Sequence, residues 1–167
     1  MLDFDKIILD GTLIAIAFLA LLIAASIYNF RLFLNKGDIP PDIFAAVAPK
    51  TDREKRVSLL VSIPILLLVF GLPLYSTYTF AWQNPGVDYS TLFAHLFLVS
   101  LIPNLADLLI LDWLIINTIT PSFFVHEGTE GFAGYKDYGF HLRQHLIALP
   151  FLTLVVAGFA WLVFATA

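Results

Sequence analysis

The chain has 167 residues, of which 59% are hydrophobic and 13% charged, with a formal net charge of −4. Soluble domains carry about 25% charged residues, and a soluble core of this size has no room for helix after helix that is apolar on every face. The acidic balance excludes nucleic acid as a partner. The absence of cysteine excludes disulfides, thiolate metal sites and cysteine nucleophiles.

The composition reads as an all-α integral membrane protein of one domain, with four transmembrane helices at about 7–34, 57–82, 91–119 and 141–166 in an up-down bundle. The start, MLDFDKIILD, is acidic and is followed by no small-residue cleavage pattern, so the first apolar run is expected to be a retained helix. Ala17, Ala20 and Ala24 recur at helical spacing and predict a stripe against which a neighbouring helix packs closely.

Residues 35–56 form a basic connector. Gly37 and Pro40-Pro41 interrupt the helix, Asp42–Ala48 predicts a short surface turn of helix, and Thr51-Asp52-Arg53-Glu54 is a capping box for the second span. Pro64 and Pro73 predict a bend in that span. Asn84-Pro85-Gly86 is a turn, and Asp88 or Ser90 caps the third span.

The third span carries His95, Asn104, Asp107, Asp112 and Asn117, with Pro103 as a proline joint. A carboxylate near a membrane helix centre costs about 2.5–3.5 kcal/mol on insertion scales, so Asp107 and Asp112 need partners or a purpose. In an α-helix Ser100, Asn104, Asp107 and Leu111 share one stripe, while Asp112 lies about 140° from Asp107. On that geometry one small site does not have to hold both. Depth matches Asp112 with His145, whereas Asp107 lies a turn or more deeper; Ser26, Ser62 and Thr77 are candidate hydrogen-bond partners for it.

Residues 120–140 form a loop rich in glycine and aromatics, and the fourth span follows with a kink at Pro150. Arg31, Lys36, Lys50, Arg53, Lys55, Arg56, Lys136 and Arg143 all fall on the side of the two longer connectors; Lys6 lies opposite. By the positive-inside rule both connectors are cytoplasmic, both termini face out, and the expected location is a prokaryotic plasma membrane. Arg31 is expected to snorkel to lipid headgroups.

His141 and His145 form H-x-x-x-H, one turn apart on one helix face, and two imidazoles at that spacing can bind one metal. Pooled with His126, Glu127, Glu130 and Asp112 they suit zinc, iron or manganese; Asp107 and Asp112 are the candidate acid–base groups, and Asn104, Glu127, Glu130 and Arg143 the candidate ligand-binding residues. No lysine lies inside a span, which excludes a retinal Schiff base. GTEGFAG lacks the Lys-Ser/Thr of a phosphate loop, which excludes a nucleotide there. Three functions follow. One is a cytoplasm-facing site for a cation or an amphiphilic ligand, with acid–base or metal-assisted chemistry. The second is a non-catalytic subunit that assembles with other membrane subunits or with itself. The third is proton- or cation-coupled transport by an oligomer. The lipid bilayer is a partner in all three.

Overall fold

The computed structural model describes residues 1–166, and they are helical with no strand. Four helices are long and apolar enough to cross a membrane: Phe4–Phe33, Asp52–Gln83, Tyr89–Ile119 and Tyr138–Thr166. Their order is read from contacts along their lengths. Ile7 and Ile14 of the first helix meet Val99 of the third, and Phe18 and Leu22 meet Leu111, so these two run parallel. Asp10 meets Ser76 near the end of the second helix while Arg31 meets Glu54 near its start, so first and second are antiparallel. Leu96 packs on Val156 and Ala160, and Asp112 meets His141 and His145, so third and fourth are antiparallel as well. This is an up-down bundle.

Helix starts follow local chemistry. Asp3 accepts from the Lys6 amide, and Asp88 from the Thr91 amide, each satisfying a backbone donor that the first turn leaves free. The Thr51–Glu54 capping box forms in full, and a short helix, Pro41–Ala46, starts on its proline as expected.

Besides a 3-10 turn, Phe30–Phe33, at the end of the first helix, two stretches depart from α geometry. Leu67–Gly71 in the second helix and Asp107–Ile119 in the third are π-helical, with i→i+5 hydrogen bonding. The first lies between the two prolines: Pro73 has no amide to donate, and the wider turn leaves its ring room beside the carbonyl of Val69. The third helix stays α-helical through Pro103 and changes at Asp107, four residues beyond the expected joint.

Packing is uneven. The third helix is the core element, with Leu92, Leu96 and Val99 at most 1% exposed. The second helix buries Pro73, Ser76, Thr77, Phe80 and Ala81 in its second half and no side chain between Asp52 and Gly71. The Ala17/Ala20/Ala24 stripe faces outward, contrary to expectation. The close approach to the first helix occurs at Gly11 instead, where an added methyl would overlap the Ile102 side chain.

Arg31 does not snorkel. Its Nε donates to Glu54 at 2.7 Å, and its Nη2 reaches the carbonyls of Ala48 and Pro49 at 3.0 and 3.1 Å, tying the end of the first helix to the start of the second. Lys50 reinforces this tie through the Leu32 carbonyl and Asn35.

Candidate functional site

The i→i+5 pattern starting at Asp107 decides the site. It stacks a residue over the one five positions earlier, so Asp107 and Asp112 share a face that an α-helix would split. Opposite them the fourth helix presents His141 and His145 one turn apart.

The histidines do not converge on a common point; they bracket one carboxylate. His141 Nδ1 lies 3.2 Å from Asp112 Oδ1, and His145 Nε2 lies 3.1 Å from Asp112 Oδ2. His145 Nε2 is also 3.9 Å from Asp107 Oδ2. Its other nitrogen, Nδ1, lies 3.3 Å from Asn104 Oδ1, an oxygen that only accepts. With Nδ1 donating to Asn104, Nε2 is held toward both carboxylates, the way an outer partner orients a metal-binding imidazole. One ligand atom each from Asp107, Asp112 and His145 lies within 4.8 Å of the other two. Two ligand atoms each about 2.1 Å from one ion sit about 3–4.2 Å apart, and the His145 contacts to Asp112 and Asp107, at 3.1 and 3.9 Å, lie in that range.

A cavity of about 210 Å³ adjoins this cluster. Its polar wall contains Asp38, Asp107, Asp112, His126, Tyr135 and His141, and its apolar wall includes Leu22, Phe30, Leu111 and Phe124. Three buried polar atoms on its lining residues have no hydrogen-bond partner: Asp107 Oδ1, His126 Nε2 and His141 Nε2. Orphaned buried polar atoms are rare, because each costs about 1–3 kcal/mol. Three lie around one cavity; His95 Nδ1 and Asn117 Oδ1 are unpartnered elsewhere in the described residues.

The glycine-rich loop builds one wall. His126 is 3% exposed and stacks on Phe30 at 4.6 Å between ring centroids. Its amide donates to the Tyr135 hydroxyl at 2.8 Å, and that hydroxyl also meets Thr129 Oγ1. Burial first, then the Arg31 charge, lower the His126 pKa to about 4, so the ring is neutral at physiological pH. The loop is pinned near its carboxyl end. Lys136 Nζ donates to the Asn117 and Thr118 carbonyls closing the third helix, and Asp42 Oδ2 accepts from the Gly134 amide at 3.0 Å. A methyl at Gly134 would overlap Asp42 and Pro40, so glycine is required there.

The candidates thus divide. Asn104, Asp107, Asp112 and His145 meet directly, His141 joins through Asp112, and His126 reaches the same cavity from the loop. Glu127, Glu130 and Arg143 are exposed and do not line the cavity. Two glycines in left-handed conformation, Gly128 and Gly131, turn the loop so that the glutamates point away. Ser62 and Thr77 do not pair with Asp107; their hydroxyls donate to Leu59 and Pro73 carbonyls of their own helix. Ser26 lines the cavity. Asp38 and Tyr135 were not singled out in the sequence, since a connector aspartate and a loop tyrosine carry no signal of facing a membrane helix.

A second polar cluster lies at the other end of the bundle. Ser76 Oγ donates to Asp10 Oδ2 at 2.6 Å and lies 3.1 Å from His95 Nε2, while Lys6 pairs with Asp10 at 2.8 Å. His95 is fully buried and stacks on Phe80 at 4.5 Å.

Comparison of the chain with protein-family models, with curated proteins and with solved structures gives no match.

Proposed function

We propose that this chain is an integral membrane protein that binds a divalent cation of the zinc, iron or manganese class through Asp107, Asp112 and His145. The ion would face the loop-covered cavity, where it can act as a Lewis acid on a bound ligand. His145 Nε2, turned toward two carboxylates by Asn104, is the observation that carries the reading. Two carboxylates this close are stable together when they share a proton or have positive charge between them, and a divalent ion is one such charge, as is the His145 imidazolium. His141 orients Asp112 from outside the ligand set, and its free Nε2, with His126 Nε2, is available to a ligand in the cavity. By the positive-inside rule the cavity side is cytoplasmic.

The test is elemental analysis of detergent-purified protein, followed by titration of the metal-stripped protein with Mn²⁺ or Zn²⁺. The expected result is one ion per chain, lost in His145→Ala and Asp107→Asn and kept in Glu127→Gln. Absence of stoichiometric metal, with no saturable uptake by the stripped protein, overturns the proposal.

A further inference from the structure

Asp107 is the shared wall of two cavities. The second, of about 240 Å³, lies farther from the loop and is bounded at its base by Phe18, Ser100, Pro103, Asn104 and Asp107. Its mouth is formed by Ala148 and Phe151 of the fourth helix, both exposed, Phe151 at 65%. Val69 and Phe70, from the π turn of the second helix, form the facing lip. Beyond them runs a groove with no polar surface, between Ile63–Leu74 and Phe151–Phe159, and it shares Phe70 and Phe151 with the cavity.

We infer that the ligand of the Asp/His site is a membrane amphiphile whose hydrocarbon chain enters from the bilayer between the second and fourth helices, past Phe70 and Phe151, with its head group at Asp107. The inference rests on the cation site for its head-group end and on separate observations for its tail. Three features point to a hydrocarbon chain as the occupant. The groove offers only apolar side chains. It opens on the flank of helices long enough to span a bilayer, where acyl chains are the surrounding solvent. The part of the second helix that lines it buries no side chain, so separating it from the fourth helix costs little packing. The helix rise puts Ala148 and Phe151 about 15–20 Å along the fourth helix from Tyr138, at acyl-chain depth. A water-soluble ligand would have no use for this opening.

The experiment uses full-length protein in phosphatidylcholine liposomes containing a palmitic acid with a diazirine on a carbon close to its carboxyl end, irradiated and mapped by mass spectrometry. Adducts are expected on the cavity residues Phe18, Ser100 and Pro103, which are buried from bulk lipid, as well as on the exposed face. In Ala148→Phe, which fills the mouth without touching a ligand atom, labelling of those three should fall about tenfold or more, the effect expected of overpacking. Labelling of exposed Leu13 and Ile16 serves as the internal standard. Labelling confined to exposed positions in the wild-type protein, or unchanged inside the cavity of Ala148→Phe, overturns the lateral route even if the protein binds metal. Labelling of Ser100 and Pro103 in a protein that binds no metal would leave the route standing and remove the cation reading instead.

Discussion

The two polar clusters use similar residues and come to different ends. Near the amino terminus, Lys6, Asp10, Ser76 and His95 form a chain in which opposite charges pair and each contact is local to one spot between three helices. Near the loop, two carboxylates face each other across one imidazole with no lysine or arginine in contact. The first cluster borders a cavity of about 210 Å³ through Lys6, Asp10 and Ser76 but not His95; the second borders two that meet at Asp107. Histidine and aspartate inside a bundle are therefore weak evidence of a site taken alone. A charge balance left open separates a binding cluster from an interhelical contact.

That contrast can be tested by substitutions at both ends. The largest effect is expected from Asp112→Ala, which strips both histidines of their partner: metal binding should vanish and unfolding in detergent should become easier by about 3–5 kcal/mol, the cost of breaking a buried pair. Comparable stability of this variant and the wild type would show that the histidine clasp is incidental. Ser76→Ala should cost about 1–3 kcal/mol by leaving Asp10 and His95 without their bridge, with metal content unchanged. Loss of metal in that variant would abolish the distinction between the clusters. Gly134→Ala forces the loop off Asp42 and should raise protease cleavage within 120–137 while the helices stay intact, as read by limited proteolysis and circular dichroism. The smallest effect concerns pH. The His126 pKa is about 4 when folded and near 6.5 when unfolded, so its contribution is complete above about pH 6.5. It is lost as pH falls from there toward 4, because the unfolded chain takes up the proton first. Thermal melts of His126→Phe should show a shallower decline across that window than the wild type, and equal slopes would count against burial of a neutral ring.

Much of the architecture is legible in the sequence because a membrane-spanning helix is written in composition alone. Its caps are written in single residues, as at Thr51, Glu54 and Asp88. The pairing of Asp112 with His145 follows from depth, since each sits a countable number of residues from an interface. Asp107 resists the same treatment. Its position opposite His145 depends on the turn being wider than 3.6 residues, and nothing in DLLILDWLIINTI announces that. The loop is harder still: His126 faces inward and Glu127 outward although they are neighbours, and only the left-handed glycines and the Phe30 stack decide between them. The pairing of Arg31 is hidden for a related reason, because the anion it meets is Glu54, which belongs to the next helix rather than to the lipid.

The wide turn also bears on how this chain tolerates changes in length. A π turn is an α turn with one residue added. Removing one of Leu108–Leu111 would place the two aspartates four apart, where an ordinary α-helix stacks them by itself. A single-residue deletion in the middle of a membrane helix ordinarily rotates everything beyond it out of register. Here the wide turns of Asp107–Ile119 already hold surplus residues, and a shortened chain should keep both carboxylates facing His145.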